Sequence, residues 1–434
     1  MFPAFLFATI KQAMPDSLRT GIVVIGAGIA GLSAARNLAA AGESVTLIEA
    51  RNRVGGRILT ERNAATDLPI ELGAEFVHGR PPELFDLIEE AGLTLYQREG
   101  DFVCYENGKL GDCGFFEEAF GVLDDLPASP DIPFAEYLAQ KSPPQHLAAR
   151  VTGYVEGFNA ADATRIGTAA LLKQQLAEES IEGDCSFRIV EGYDRVATYL
   201  RDRFVASGGK LNLSTAATAV HWKPGEVSVE TANPALPEIH ATKVVIALPL
   251  GVLQSGSPHI APEPPQAIAA IRKLAMGPAT RITLLFRERF WEAALPNLSF
   301  LIGLEEMPPT WWTAAPNPSP TLTGWIAGPR ALRAAAGAYL KDQALAALSA
   351  IFGRNDLSAL LTGFHHHDWQ SDPCSLGAYS YAPAGAVSAS DELAIPVEKT
   401  LYFAGEHTDT TGHWGTVHAA LRSGLRAASQ ILHE

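Results

Sequence analysis

The sequence predicts an α/β fold that begins with a Rossmann-like, dinucleotide-binding unit. A β-branched run at residues 22–25 leads directly into a glycine-rich turn, and a helical pattern follows over residues 32–41. The chain has 434 residues, more than one hydrophobic core usually organises, so we expect two closely packed domains. Apolar residues make up 47% of the chain and charged residues 19%, which is typical of a folded globular enzyme.

Each part of the opening unit suits a bound pyrophosphate. Gly26 permits the tight turn, Gly28 lets the backbone approach the phosphates, and Gly31 lets the helix pack closely on the strand. Ala30 lies in the same turn, where the helix amino terminus faces the phosphates. A second strand ends in Glu49, 18 residues beyond Gly31, where a carboxylate accepts hydrogen bonds from ribose hydroxyls. Strand, turn, helix, strand and acid in this order predict a dinucleotide site.

The following segment favours a flavin. Gly55 and Gly56 allow the backbone to lie against a ring, and Arg51 and Arg57 beside them carry guanidinium groups that can reach phosphate. This Gly-Gly-Arg stretch resembles the flavin-containing amine oxidases, in which it approaches FAD, and the resemblance continues through residues 71–79. The resemblance further implies FAD contacts at Ala50, Gly73, Ala74, Glu75, Phe76 and Val220.

The carboxyl-terminal segment supplies the second signal. Residues 400–404 read as a strand and residues 416–432 as an amphipathic helix. A helix amino terminus aimed at an isoalloxazine ring offers N–H groups and partial positive charge. The closing motif resembles that of the same family, and this resemblance assigns four residues to FAD: Gly405, Glu406, Thr416 and Val417.

Candidate substrate residues also come from the resemblance. Tyr379 matches the aromatic residue that flanks the amine in monoamine oxidases, polyamine oxidases and histone-lysine demethylases, although ordinary core packing also explains a tyrosine. Thr416 stands where monoamine oxidases have a second aromatic wall, which leaves Trp414 or His413 as substitutes. His78 stands where some polyamine oxidases have a substrate-facing His or Glu, and a satisfied core histidine is the alternative.

Two positions depart from the family pattern. Ala378 stands where covalently flavinylated relatives carry cysteine, and Cys374 comes four residues too early, so we expect non-covalent FAD. Arg281 stands where many relatives carry a lysine that assists the reaction with oxygen. A guanidinium provides charge and hydrogen bonds but does not shuttle a proton as an amine does, and a buried ion pair is the alternative role. Arg281, Tyr379 and Thr416 are the catalytic candidates.

Other features exclude competing functions. The net charge of −15 argues against a nucleic-acid binder, and no apolar stretch approaches the roughly 20 residues needed to span a bilayer. The apolar residues 1–10 lack a basic leading region, so we expect an extension and not a signal.

Strand alternation would point the side chains of residues 365–368 to opposite faces, so we predict no metal site there. The spacing of the four cysteines predicts neither disulfides nor metal ligands, because they lie far apart: Cys104, Cys113, Cys185 and Cys374. We therefore expect a reducing, cytoplasmic location.

The middle of the chain contains local patterns that predict secondary structure but carries no chemical motif by itself. Hairpins are predicted around Asn107-Gly108 and around Pro224-Gly225, and helices over residues 168–179 and 331–352. The resemblance implies an FAD-binding domain and a mixed-sheet α+β substrate domain, both discontinuous. The ranges are 15–85, 190–262 and 390–434 for the first domain, and 86–189 and 263–389 for the second.

The implied reaction is hydride transfer from a neutral amine to FAD. The product is an imine that water hydrolyses to a carbonyl, and O2 is reduced to H2O2. The fold plan is also similar to protoporphyrinogen oxidases and carotenoid desaturases, and a non-enzymatic flavoprotein is a third possibility. The sequence leaves open whether the small-molecule substrate is a monoamine, diamine, polyamine or amino acid, and it does not indicate the oligomeric state.

Overall fold

The computed structural model describes residues 18–114, 116–334 and 338–433. The apolar opening segment, predicted to be an extension, lies outside the described residues. Within the described ranges, no helix has both the length and the apolar character that a membrane crossing requires.

The strands, in chain order, are β1 Leu18–Arg19, β2 Ile22–Ile25, β3 Val45–Ile48, β4 Thr60–Glu61, β5 Ile70–Glu71, β6 Val77–His78, β7 Leu95–Gln97, β8 Asp101–Glu106, β9 Lys109–Asp112, β10 Ser186–Ile189, β11 Lys210–Asn212, β12 Ala217–Lys223, β13 Glu226–Thr231, β14 Glu238–Ala241, β15 Lys243–Ile246, β16 His259–Ala261, β17 Ala275–Gly277, β18 Ala279–Phe286, β19 Leu298–Ile302, β20 Thr310–Trp312, β21 Thr321–Ala327, β22 Leu361–His366, β23 Tyr379–Tyr381 and β24 Leu401–Phe403.

The helices are α1 Ile29–Ala40, α2 Pro82–Glu90, α3 Phe116–Leu123, α4 Phe134–Lys141, α5 Gln145–Asn159, α6 Thr168–Glu179, α7 Asp194–Ala206, α8 Leu250–Gln254, α9 Pro265–Lys273, α10 Ala338–Phe352, α11 Leu357–Leu360, α12 Ala389–Leu393 and α13 Val417–Leu432. Short 3-10 turns lie at Phe290–Ala293, Gly328–Arg333 and Glu406–Thr408.

A parallel sheet in the order β11-β3-β2-β15-β24 forms the nucleotide-binding unit that the sequence predicts. Its central strands are buried on both faces, because helices cover one face and strands β12, β13 and β14 with helices α8 and α9 pack on the other. Helices α1, α7 and α13 pack on one face, and their backbones approach closely where glycines allow it. A Cβ at Gly31 would lie 1.9 Å from the Gly26 carbonyl oxygen, and one at Gly424 would lie 2.1 Å from that of Ala30. The predicted role of Gly31 in helix–strand packing is therefore confirmed.

A mixed sheet in the order β22-β18-β21-β20-β19-β8-β9 forms the second layer that shapes the site. Its pairs are antiparallel except β19 with β8. Helix α10 covers one face and shares a hydrophobic core with β18, β19 and β21. The strands come from residues 101–112 and 298–366 as well as β18, so the chain leaves the parallel sheet and later returns to it.

Both predicted hairpins are confirmed. Asn107 and Gly108 have φ angles of 51° and 76° between β8 and β9, as a type I′ turn requires. The second hairpin, β12 with β13, lies in a separate sheet with the order β1-β14-β13-β12-β16.

Two sequence expectations are wrong. The predicted helix from residue 331 is interrupted, because residues 328–333 form a 3-10 turn and Ala334 is extended, and α10 begins only at Ala338; residues 335–337 lie outside the described ranges. Cys104 and Cys113 form a disulfide, because the β8–β9 hairpin brings them together. Disulfides persist in oxidising compartments, so this bond weighs against the reducing location inferred from cysteine spacing.

Candidate active site and cofactor cavity

A cavity of about 1250 Å³ extends from the carboxyl ends of β2 and β3 to the surface of β18 and β21. Single small-molecule sites usually measure about 300–1,000 Å³, so this cavity has room for a large cofactor together with a substrate. We call the part around Gly28 and Glu49 the nucleotide end, and the part around Trp325 and Tyr379 the aromatic end.

Glycines form the floor of the nucleotide end. A Cβ at Gly28 would meet no atom within 4 Å, so the backbone of Gly28 faces open cavity at the amino terminus of α1. Gly55 and Gly56 have φ angles of 103° and 58°, and Gly55 bridges to Gly28. Ala30 and Ala50 also line this end. The exposed backbone and the helix terminus fit a pyrophosphate.

Glu49 is held in place by backbone donors. Its Oε2 accepts from the Ala27 N–H at 2.7 Å and its Oε1 from the Arg51 N–H at 2.9 Å. Each carboxylate oxygen keeps a further lone pair, so the side chain can also accept from ribose hydroxyls.

The arginines beside this end hold the loop in place. Arg51 also lines the cavity, with Nη2 2.7 Å from Asp372 Oδ1. Arg53 donates to the carbonyls of Val54, Gly56 and Ile58, so it stabilises the loop.

Glu406 joins three segments in the middle of the cavity. Its Oε1 lies 2.9 Å from Arg57 Nη1, and its Oε2 accepts from Ser380 Oγ at 2.6 Å and from the Gly415 N–H at 3.0 Å. Burial opposes ionisation of this carboxyl, but the charge of Arg57 and the hydrogen bonds outweigh it, so the pKa of Glu406 is lowered. The segment around Gly405 and the approach to α13 are therefore tied to the Gly-Gly-Arg loop.

The amino terminus of α13 faces the cavity. Thr416 caps the helix: its Oγ1 accepts from the Ala419 N–H at 3.1 Å and donates to the His413 carbonyl at 2.7 Å. Thr416, Val417 and Ala420 line the cavity, so the positive end of the helix dipole favours negative charge there. The predicted helix is confirmed, and its amino terminus lies at the cavity.

Two parallel rings define the aromatic end. The ring planes of Trp325 and Tyr379 are 7° apart, and their centroids are separated by 6.5 Å. Trp325 Nε1 donates to the Gly157 carbonyl at 2.9 Å, and the Tyr379 hydroxyl donates to the Phe158 carbonyl at 2.6 Å. Neighbouring carbonyls near the end of α5 thus fix both rings. A Cβ at Gly415 would lie 2.8 Å from the Tyr379 ring, so glycine leaves room for it.

Sequence reasoning missed Trp325. It named Trp414 or His413 as the second wall, but the Trp414 indole donates to the Asp409 carbonyl at 2.9 Å, and a ring nitrogen of His413 lies 2.9 Å from the Ala177 carbonyl. Trp414 still lines the cavity. The partner ring comes from β21, directly opposite Arg281 in the strand pairing, where no motif marks it.

Arg281 lines the cavity and is a buried ion-pair partner. Its Nη2 lies 2.5 Å from Glu75 Oε2, and its Nη1 donates to the Gly73 carbonyl at 2.9 Å. Glu75 also pairs with Arg188 and accepts from Trp312 Nε1 at 3.0 Å. Burial lowers the pKa of Arg281. Gly73, Ala74, Glu75 and Phe76 all line the cavity, as the resemblance implies.

His78 is neutral at pH 7. Its ring lies 5.9 Å from that of Phe76 and 5.8 Å from that of Phe158, and it lines the cavity. Burial, with a smaller contribution from the charge of Arg98, lowers its pKa to about 4.

Val220 does not fit the implied role in cofactor binding. Its side chain is fully buried in the hydrophobic cluster between the sheet of β12 and the parallel sheet, and it does not line the cavity. Residues 215–217, just before it, line the cavity instead.

The histidines at residues 365–367 bond to separate partners. Ring nitrogens of His365, His366 and His367 lie 2.8 Å from Glu61, 2.7 Å from the Arg281 carbonyl and 2.8 Å from Asp372. These contacts give each ring a local structural role.

The fold and the site define a protein with a dinucleotide-binding unit and a large cavity that ends at a pair of aromatic rings. The family model described as flavin containing amine oxidoreductase matches residues 29–182 and 133–432. The chain is similar to polyamine oxidase 4 of Oryza sativa subsp. japonica, at 29% identity over 96% of this chain and 92% of that one. It is similar to polyamine oxidase 2 of Arabidopsis thaliana, at 30% identity over 94% and 87%. The solved structure of wild-type putrescine oxidase bound to putrescine superposes with a TM-score of 0.81, at 19% identity over 96% of this chain and all of that one.

The chain therefore belongs to the flavin-containing amine oxidoreductases. It is an FAD-dependent oxidoreductase that acts on amines. The open backbone at Gly28, the remaining lone pairs of Glu49 and the size of the cavity fit this cofactor.

Proposed function

We propose that this protein oxidises an amine held between Trp325 and Tyr379 and uses O2 as the electron acceptor. The parallel pair of rings at one end of the FAD cavity is the observation that carries this proposal. FAD, when bound, supplies the acceptor for the hydride that leaves the α-carbon of the amine.

The rings favour the reactive form of the substrate. An alkylamine has a solution pKa near 10.4, so most of it is cationic at pH 7. Apolar walls disfavour the cation and therefore lower the pKa of a bound amine. Tyr379 does not act as a base, because burial raises the pKa of its phenol and its hydroxyl already donates to the Phe158 carbonyl.

The remaining candidates hold and tune the cofactor. We assign the pyrophosphate to Gly28 and the amino terminus of α1, the ribose to Glu49, and the ring to the segment around Arg57 and Thr416. The discontinuous FAD-binding ranges 15–85, 190–262 and 390–434, and the substrate-binding ranges 86–189 and 263–389, are part of this proposal. The two described sheets that meet at the cavity support it.

Arg281 provides fixed positive charge beside the cavity. Its contacts with Glu75 and the Gly73 carbonyl hold the guanidinium in place, so it can bind an anion or orient a water. Because a guanidinium stays protonated, another group has to transfer the proton. We therefore propose an electrostatic role for Arg281 in the reaction with O2.

An anaerobic reduction screen tests the proposal. Monoamine, diamine, polyamine and amino acid are mixed with the holoprotein, bleaching near 450 nm is followed, and peroxide is measured after O2 is admitted. We expect at least one amine to bleach the flavin and O2 to restore its colour with peroxide formation. Bleaching without peroxide would contradict the oxidase assignment, and no bleaching by any amine would contradict the proposed chemistry.

A substitution at Trp325 tests the role of the aromatic pair. We expect Trp325→Ala to slow anaerobic reduction by roughly 100-fold, because a substrate displaced by about 1 Å loses that much. Trp222→Ala is the matched control: Trp222 lies in β12 and donates to the Pro262 carbonyl. Equal reduction rates in the two variants would remove Trp325 from the substrate site.

A further inference from the structure

The cavity continues past the aromatic end along α5. Phe158 and Tyr154 lie one helical turn apart, both line the cavity, and their rings stack with centroids 5.7 Å apart and planes 12° apart. Phe158 is the residue whose carbonyl fixes Tyr379. Gln174 and Glu178 of α6 line the same cavity.

Glu178 is an acid without a counter-cation in the part of the chain that the structure describes. Its Oε1 accepts from Gln174 Nε2 at 3.1 Å, and no described Lys, Arg or His side chain pairs with it. Burial raises its pKa to about 7, and the hydrogen bond from Gln174 offsets this only in part. Burial and then the Glu178 charge raise the pKa of the Tyr154 phenol, and both side chains line the cavity.

The buried acids in the cavity wall are compensated, whereas Asp112 and Asp184, which also line it, are exposed. Glu75 pairs with two arginines, Glu406 pairs with Arg57, and Glu49 accepts from two backbone N–H groups. Buried charges in proteins are usually paired, because an isolated buried charge is costly. A carboxylate that faces a substrate cavity without such a partner is suited to a cation that arrives with the ligand.

We propose that Glu178 binds a second, cationic amino group of the substrate while the first lies between Trp325 and Tyr379. The protein then prefers diamines or polyamines to monoamines. This proposal rests on the proposed amine oxidase function and names the substrate class and the residue that selects it.

Arg98 offers the competing arrangement. It lines the cavity, donates to Ser299 Oγ at 3.0 Å, and would favour a substrate carboxylate, hence an amino acid. Its guanidinium, however, lies 4.8 Å from the Phe102 ring centroid and 4.7 Å from that of Phe300, so cation–π contacts already stabilise its charge. Glu178 has no comparable compensation among its described contacts.

The test compares three substrates of similar length: butylamine, 1,4-diaminobutane and 4-aminobutanoate. Steady-state constants are measured at about pH 8, where a carboxyl with a pKa near 7 is mostly ionised. For Glu178→Gln, we expect the KM for 1,4-diaminobutane to rise roughly 10- to 100-fold, the loss typical of a hydrogen bond to a charged group. The constants for butylamine should change by less than about two-fold, because butylamine carries no second charge.

Glu179→Gln is the matched control. Glu179 is the next residue on α6, is exposed, and accepts from Gln175 Nε2 at 3.2 Å. We expect it to leave the constants for all three substrates unchanged. Equal effects of Glu178→Gln on butylamine and 1,4-diaminobutane, or no effect on either, would overturn the proposal. A preference for 4-aminobutanoate that is lost in Arg98→Met would overturn it in favour of an amino acid.

A binding measurement separates this proposal from the proposed function. We expect 1,4-diaminobutane to raise the Tm of the holoprotein more than butylamine does, and Glu178→Gln to abolish the difference. Flavin that no amine reduces, together with this Tm difference, would refute the oxidase function but retain the diamine site. Turnover of amines without any such difference would retain the oxidase function and refute the site.

Discussion

Arg281 and Glu75 form a buried ion pair at the edge of the cofactor cavity, with Nη2 2.5 Å from Oε2. The side chains are 5% and 8% exposed, and Arg188 shares the same carboxylate. The charge of a second buried acid, Glu71, also acts on both guanidinium groups and opposes the lowering of their pKa values by burial, so the cluster carries net positive charge only while Glu71 is protonated. Arg281 is thus the buried ion-pair partner of one alternative, and it also lines the cavity, as the proposed role in the reaction with O2 requires.

The cluster predicts a large effect for Glu75→Gln. This change leaves two buried guanidinium groups without their carboxylate, and breaking a buried pair typically costs about 3–5 kcal/mol. We expect the free energy of unfolding to fall by about that amount in guanidinium chloride titrations at pH 7. Glu226→Gln is the control, since its pair with Lys223 is more than two-thirds exposed on each side, and exposed substitutions change stability by about 0.5 kcal/mol or less. Equal losses in the two variants would contradict a structural role for the cluster.

The nucleotide end could be predicted from sequence because its parts are contiguous. The turn from Gly26 to Gly31 and the acid Glu49 lie within one β-α-β unit, so local spacing determines their geometry. Helix α13 could also be predicted from sequence, since the capping Thr416 precedes an amphipathic run.

The aromatic end and the proposed second-amine site at Glu178 could not be predicted from local sequence spacing. Trp325 lines the cavity because β21 pairs with β18, and Glu178 lines it because α6 and α5 share a hydrophobic core. Neither contact has a local sequence pattern. The Cys104–Cys113 bond had a partial one: the predicted hairpin around Asn107-Gly108 turns the chain back, and Cys113 directly follows β9.

Substitutions at two glycines distinguish an effect on cofactor binding from an effect on folding. Gly28→Ala adds a methyl group to open cavity, so we expect a folded protein with native Tm in the absence of FAD but strongly reduced FAD content. Gly31→Ala places its methyl 1.9 Å from the Gly26 carbonyl oxygen, so we expect misfolding or a large loss of stability. The checks are the absorbance ratio of flavin to protein and thermal melts of the apoproteins. Full FAD content in Gly28→Ala would show that this backbone does not contact the cofactor.

FAD is expected to leave the denatured protein. Ala378 lines the cavity beside Tyr379 and has no sulfur for a covalent bond, while the Cys374 N–H is bonded to Asp372 at 2.9 Å, next to Arg51 at the nucleotide end. Acid precipitation should therefore release all flavin into the supernatant, measured by its fluorescence. Cys374→Ala should release it equally. A yellow pellet in the wild type that becomes colourless in this variant would show a covalent bond to Cys374.

The pH dependence of stability can be traced to Glu71. The residue is 7% exposed, and its carboxylate accepts from Thr60 Oγ1 at 2.6 Å and from the Tyr193 N–H at 2.8 Å. Burial outweighs these hydrogen bonds and raises the pKa from 4.5 to about 7. The folded state then holds this proton more tightly than the unfolded state, so the stabilisation is complete below pH 4.5 and is lost as the pH rises towards about 7.

Glu71→Gln should remove this dependence. The amide oxygen can still accept from the Tyr193 N–H, and the amide nitrogen can donate to the Thr60 hydroxyl, so the local bonds survive. We expect the difference in unfolding free energy between variant and wild type to shift in favour of the variant by up to about 1.4 kcal/mol per pH unit between pH 5 and pH 7. Denaturant titrations at several pH values measure it, with Glu226→Gln as the exposed control. A constant difference across this range would mean that Glu71 is already ionised in the folded protein at pH 5, and that Arg281 and the two hydrogen bonds outweigh its burial.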